Sequence, residues 1–415
     1  MECTVIMGYR PLALGAIALL TFQVCFAQQP SLNLVTFEAP PYQISREGTD
    51  IRGETVNTVT CAAKAAGWTT NITMVPQKRA IYSLKRNMAD GYFAADPSAE
   101  LDAIARQSYP VALEKWYFFT LDASPKPSKD RIGVVDGSNE EAWLKANDYN
   151  IYLSVTSPKQ LLALLERGRI NAALMDERVM QDLNTDSGTP AIDSLHSHFL
   201  RYAPLHLYLG DVFQVTYPNF LSAFNEALPT CMGKNLQLSE RELTHIEVLT
   251  RRLLAELRGL LNLQQALKAG PKPSTLAEVL SIDSKWQALA PKAELPLASH
   301  IRNLPASQTL ESWQRSYQGL ITEVMLVNSM GTIAAMSQLT SDYWQGDEPK
   351  FLEVAGSELT TEPRDRNFLF VSPVRYDQST TRFQISVSAP LFSGDDKAPN
   401  GVIVLGLDIE EAMGI

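Results

Sequence analysis

The chain has 415 residues, of which 45% are hydrophobic and 20% charged, and a formal net charge of −10. That length exceeds one ordinary core, so two or three domains are expected, and the composition excludes a disordered chain. Both signs of charge are interspersed and no basic face emerges, which excludes nucleic acid as a partner and argues against tight binding to anionic lipid.

Arg10 precedes the apolar run "PLALGAIALLTFQVCFA", which ends at Ala27. A basic start, an apolar middle and a small-residue end predict a secretory signal peptide over 1–27, cleaved near Ala27 with Cys25 at the −3 position. The run is short for a membrane anchor, and bulky Val24 before Cys25 argues against a lipid-attachment signal. No later stretch is apolar enough to span a bilayer. The mature chain is therefore expected to be soluble and exported to the periplasm. Cleavage leaves Cys61 and Cys231, an even number suited to an oxidising compartment. A bond between them would close a loop of roughly 170 residues and contribute about 5 kcal/mol in the chain-entropy view; two buried free thiols are the alternative.

Strands and helices then alternate. "LNLVTFE" (32–38) predicts a strand that ends in the loop "APPYQ", since a proline pair stops both element types. "ETVNTVTCAAKAAG" (54–67) predicts a helix closed by Gly67. "TTNITMVP", "QKRAIYSLKRNMADG", "YFAAD" and the aromatic "WYFFTL" (116–121) continue as strand, helix, strand and strand. A second unit opens at "RIGVVDGS" (131–138) and runs through the helix "NEEAWLKAN", the strand "IYLSV", the helix "SPKQLLALLERG" and the strand "INAALMD" (170–176). Such alternation predicts parallel sheets with right-handed crossovers, here as two α/β lobes with a cleft between them. "HLYLGDVFQ" and "YPNFLSAFNEALPTCM" close this region near residue 235.

Residues 236–317 read as helical. Ser239 with Glu242 forms a capping box that opens a long amphipathic helix ending at Gly270, and Thr275 with Glu278 forms another. A further helix covers roughly 306–318. The remainder, 318–415, is β-patterned: "GLITEVMLVNSMGTIAAMS" reads strand–turn–strand, and "FLFVSPVRYD", "RFQISVSAPLF" and "GVIVLGLDI" are further strands of an antiparallel meander.

Residues 32–231 resemble the periplasmic solute-binding proteins of the amino-acid-binding type. The phrases that carry the resemblance are "FEAPPYQ", "RGETVNTVTCAAKAAG", "VPQKRAIYSLKRNMADGYFA", "RIGVVDGS", "LLERGRINAALMD" and "YPNFLSAFNEAL", in that order. The resemblance implies two α/β lobes that close on a ligand over residues 28–235. It also implies an arginine shortly after the aromatic strand of lobe one, to hold a ligand carboxylate, and an aspartate in lobe two for the ammonium. "KWYFFTLDAS" lacks that arginine. Arg79 is then the candidate cation, with a solvated helix charge as its alternative, and Asp176 the candidate acid, with a helix N-cap as its alternative. Loops at the carboxyl ends of parallel strands face such a cleft, which adds Glu38, Tyr42, Trp116, Tyr117 and Ser138. Of Trp116 and Tyr117 one is expected in the site and the other in the core. Ser138 stands at a helix N-terminus able to receive an anion.

Residues of roughly 258–415 resemble the Cache sensor family, extracellular relatives of PAS domains. "EVMLVNSMGTIAAMSQLTSDYWQGDEPKF", "VRYDQSTTRFQISVSAPLF" and "GVIVLGLDI" carry this second resemblance. It implies an α+β domain with long N-terminal helices and a curved antiparallel sheet, over which "TSDYWQGDE" folds to help form a ligand pocket. Asn328 takes a turn position where the family often has aspartate, which keeps the turn chemistry. Asp342, Tyr343, Trp344, Gln345 and Asp347 are the candidate ligand residues, joined by Arg375 and Asp377. Their alternatives are a turn cap for Asp342, core filling for Trp344 and a β-turn for the last pair.

His196 and His198 alternate on "HSHF", and with His206 they could supply three metal ligands, but the run reads as a surface segment and no metal is expected. No phosphate loop, nucleophile elbow or zinc protease signature occurs, and no cofactor is expected. The expected activity is small-molecule capture and sensing without catalysis. Its partners are the ligand, a membrane sensor or transporter, and a second copy through the long helices. A cell-wall-acting enzyme and a non-binding periplasmic scaffold are the competing readings.

Overall fold

The computed structural model describes residues 29–46, 50–123, 131–187, 195–232, 238–288, 295–355, 365–377 and 382–414. The expected signal peptide, with Arg10, Cys25 and Ala27, lies outside them. No helix among the described residues is long and apolar enough to cross a membrane.

Lobe one is built from β1 (Ser31–Thr36), the small hairpin β2 (Ile44–Arg46) and β3 (Asp50–Arg52), α1 (Glu54–Ala65), β4 (Thr69–Met74), α2 (Gln77–Lys85), β5 (Gly91–Ala95) and α3 (Ala99–Asp102). The strand β6 (Ala105–Thr120) then leads out of it. Lobe two holds β7 (Ile132–Val135), α4 (Asn139–Ala146), β8 (Ile151–Val155), α5 (Pro158–Glu166), β9 (Ala172–Asp176) and α6 (Glu177–Ser187). The chain returns through β10 (His196–Gly210) and finishes lobe one with α7 (Asp211–Thr216) and α8 (Phe220–Cys231). Period-3.6 patterning explains the helices: α1 buries Val56, Val59, Ala62 and Ala63 on one face, against Leu32 and Leu34 of β1. Gly67 follows α1 with φ +87°, and its N–H bonds the Lys64 carbonyl. Cys61 on α1 and Cys231 at the end of α8 are disulfide-bonded.

The eight strands run in the order β4-β1-β5-β10-β6-β9-β7-β8. Two strands are shared by the lobes. Leu207–Leu209 of β10 pair with β5, whereas Trp116–Phe119 of β6 pair with β9. The two shared strands pair with each other from Ala105 opposite Gly210 to Thr120 opposite His196. This corrects two expectations. The sheet is mixed, because β10 is antiparallel to β5 and β6 is antiparallel to β9. "HSHF" is the exposed to half-buried first part of β10, and "WYFFTL" is the second half of a strand of 16 residues. Polar residues interrupt both long strands where they pass between the lobes, so neither reads as one element.

The C-terminal part begins with α9 (Glu240–Leu260), α10 (Leu263–Ala269), α11 (Leu276–Ala288), α12 (Pro296–Arg302) and α13 (Pro305–Ser316). The Ser239–Glu242 capping box is present. The expected helix to Gly270 is broken instead. Leu261 is extended, and the Asn262 side chain accepts from the Gln265 N–H to start α10. Then come β11 (Ile321–Asn328), β12 (Ile333–Met336), α14 (Pro349–Ala355), β13 (Phe370–Val371), β14 (Arg375–Asp377), β15 (Arg382–Leu391), β16 (Gly401–Asp408) and α15 (Ile409–Gly414). The sheet is antiparallel throughout, ordered β12-β11-β16-β15-β13 with β14 also on β15. It departs from a simple meander because β11 lies beside β16. Alternation splits β15: Phe383, Ile385, Val387 and Ala389 join the core under α9, and the residues between them turn to the other face. That core also takes in Leu113 of β6 and Tyr202 of β10, so the C-terminal part is packed directly on the two shared strands.

Candidate functional site

The carboxyl ends of β1, β5, β7 and β9 converge where the lobes face each other, and side chains from both lobes meet there. The Tyr42 hydroxyl, on the loop after β1, lies 3.3 Å from both carboxylate oxygens of Asp176 at the end of β9. Arg178 pairs with Glu54 of α1 and lies 5.0 Å over the Tyr42 ring. Lys78 of α2 bonds Asp136 after β7 at 2.8 Å. Asn139 of α4 donates to the Ala94 carbonyl and accepts from the Asp96 N–H. Ala94 holds φ +66°, a left-handed conformation rare outside glycine, at the end of β5.

Asp176 is 1% exposed. It accepts from the backbone N–H groups of Lys115 (2.8 Å), Arg178 (2.9 Å) and Val179 (3.1 Å) as well as from Tyr42. It therefore starts α6 and bridges the lobes at once. Burial raises its pKa, and the three backbone donors work against that rise. Trp116 is buried at the floor, with its indole N–H on Glu114 at 2.8 Å and its ring 6.2 Å from Trp143. Arg201 covers both tryptophans, 5.0 and 5.5 Å from their ring centroids, and bonds Asp96 at 3.2 Å. Tyr117 points the other way, into the lobe-two core with Phe119 and Leu161. Ser138 caps α4 through the Glu141 N–H. Glu38 and Arg79 are exposed.

Acids dominate this region. Burial raises Glu114 well above the usual carboxylate range, with Asp176, Glu140 and Asp96 adding to the rise. Burial likewise pushes Glu140 up to about 7 and Asp96 up to about 6, the latter against the pull of Arg201. Sequence reasoning missed Glu54, Asp96, Glu114, Glu140, Arg178 and Arg201. Asp96 alone carried a signal, as an acid one residue past a strand's carboxyl end. His206, on β10, is buried against the Ser108 carbonyl at 2.7 Å, and burial lowers its pKa to about 4. Among the described residues no group of histidine, cysteine and carboxylate side chains could hold a metal ion.

In the C-terminal sheet domain the 340–348 loop is tied down by α11. Asp283 accepts from the backbone N–H groups of Tyr343 (2.8 Å) and Trp344 (2.9 Å). Tyr343 is fully buried, 5.6 Å from the Trp286 ring. The Trp344 indole N–H bonds the Met330 carbonyl at 3.1 Å, over the turn that Asn328 organises. Gln345 is buried; its amide N–H bonds Asp342 at 2.6 Å, and its Oε1 has no partner among the described residues. Asp377 accepts from Gln384 at 2.8 Å. Asp347 and Arg375 are exposed. Desolvation raises Glu323 of β11, Lys350 opposes that rise, and Glu348, Asp377 and Asp342 add to it, so the loop and β14 bring their acids near one half-buried carboxyl.

No protein-family model matches the chain, and no curated protein matches it. Solved structures do. An arginine-binding protein from T. maritima is similar over 48% of this chain and 88% of its own, at 16% identity and a TM-score of 0.39. An ancestral arginine-binding protein bound to arginine is similar over 49% and 93%, at 19% identity and 0.41. The GluR0 ligand-binding core from Nostoc punctiforme, in complex with glutamate, is similar over 48% and 92%, at 16% identity and 0.39.

Proposed function

We propose that the chain is an exported binding protein that captures a small solute between its two α/β lobes, and that its Cache-like C-terminal domain passes the event to a membrane sensor or transporter. The observation that carries the reading is the meeting of strand-end side chains from both lobes at Tyr42, Asp176, Glu54 and Arg178. Two shared strands run between the lobes, and side chains from both sides meet where they face each other, an arrangement that suits a cleft able to open and close. The Cys61–Cys231 bond agrees with an oxidising compartment. Exposed Val248 and Leu260 on α9 support contact with a second copy. Tyr343, Gln345 and Glu323 are the residues through which the sheet domain would receive a ligand of its own.

A scaffold that has lost its ligand is the second reading, favoured by Asp176, whose oxygens already receive three backbone N–H groups and a tyrosine. A thermal-shift panel of amino acids, polyamines, organic acids and short sugars separates the two. A ligand at one hundred times its dissociation constant adds about 2.7 kcal/mol to the folded state. Capture predicts a hit that weakens in Asp176→Asn; no shift with any compound favours the scaffold. A hit that survives Asp176→Asn but is lost in Trp344→Ala would move the site to the sheet domain.

A further inference from the structure

A cavity of about 410 Å³ opens where four parts of the chain meet. It is lined by Asp96 and Pro97 after β5, Trp143 on α4, Leu200 and Arg201 on β10, and Glu410 at the start of α15. Its one cationic wall is already committed. Arg201 bonds Asp96 Oδ2, donates from Nε to the Tyr202 carbonyl at 3.2 Å and lies 5.0 and 5.5 Å from the ring centroids of Trp116 and Trp143. The second oxygen of Asp96 is not committed. Asp96 is 7% exposed, and its Oδ1 is buried with no hydrogen-bond partner among the described residues. Glu410 lines the same space. A buried acceptor without a donor, an aromatic plate and an apolar rim of Pro97 and Leu200 together select an alkyl chain that ends in an ammonium group.

We infer that this junction is an amine-binding subsite, which seats a small alkylammonium ion against Trp143 between Asp96 and Glu410. The inference rests on the capture reading above and gives it a ligand class. It also gives the C-terminal part a direct share in the lobe site, because Glu410 comes from the last helix. An amine held there would tie α15 to both lobes. No ligand carboxylate is needed, in keeping with a sequence that lacks the expected lobe-one arginine. Asp96 must be ionised to bind. Burial holds its pKa at about 6, with Arg201 lowering it and Glu410 raising it. Amine affinity therefore rises with pH through that range, and binding at pH 6 releases protons.

The test is calorimetric titration of the full chain with putrescine at pH 8 and pH 5.5, beside glutamate, succinate and glucose. Putrescine is expected to bind, at least fivefold more weakly at pH 5.5. Asp96→Asn should weaken it at least tenfold, and Glu410→Gln, a change on a short peripheral helix, about threefold or more. If Asp96→Asn does not fold, Glu410→Gln decides. Putrescine binding that is equal in wild type and Glu410→Gln overturns the subsite. Binding of glutamate, succinate or glucose without putrescine overturns the amine class and leaves capture standing. Silence from every compound overturns both.

Discussion

Glu140 occupies the second position of α4, where the helix N-terminus favours a negative charge, yet burial holds its proton up to about 7. An acid whose native pKa lies above its unfolded value destabilises the fold once both states are ionised. The cost is complete above about pH 7 and fades as pH falls toward the unfolded value. Glu140→Gln should therefore stabilise the ligand-free protein by about 1–3 kcal/mol at pH 8, and by less than about 1 kcal/mol at pH 5. Paired urea denaturations at the two pH values measure this difference. His206 titrates in the opposite sense, since its native pKa of about 4 removes stability as pH falls below 6.5, but it is common to both proteins and cancels in the comparison. Tyr42 and Asp176 stood out in the sequence because Tyr42 follows the proline pair after β1 and Asp176 ends β9 where α6 starts. Glu114 was not, because it sits inside a long strand whose polar residues read as a loop. Glu410 was not, because more than 300 residues separate it from Asp96 and no local pattern links them.

Among the elements, α9 has two roles. Its Glu242, the third residue of the helix, closes the capping box, and it is also buried at 1% exposure. One oxygen lies 2.5 Å from Lys115 Nζ on β6, and the other accepts from the Tyr202 hydroxyl on β10 at 2.6 Å. Burial would raise this carboxyl, but Lys115, Tyr202 and the Ser239 N–H hold it below its ordinary value. Glu242→Ala leaves Lys115 without that carboxylate and also breaks the cap, so it should cost about 3–5 kcal/mol. Glu247→Ala on the same helix removes only an exposed i,i+4 pair with Arg251 and should cost below about 0.5 kcal/mol. Chemical denaturation of both variants checks the contrast, and equal costs would contradict it. The capping box was plain from Ser239 and Glu242. The break at Leu261 was not, because a leucine in a leucine-rich run carries no stop signal and the Asn262 cap is a single residue.

Across the whole molecule, the strand–helix alternation correctly announced two α/β lobes, and the C-terminal β-pattern announced an antiparallel sheet. What the alternation hid is the pair of strands that join the lobes, and with them the place where the C-terminal part attaches. Leu113 and Tyr202 belong to lobe strands and to the core under α9 at once. Under the proposed capture mechanism, a change of lobe angle would bend β6 and β10 near these residues, against the core under α9. The most direct measurement is the distance between spin labels on exposed positions 79 in lobe one and 152 in lobe two, with and without the strongest hit of the ligand panel. Capture predicts a shorter and narrower distance distribution when ligand is bound. An unchanged distribution in the presence of bound ligand would contradict closure of the lobes as the event that the C-terminal part reads.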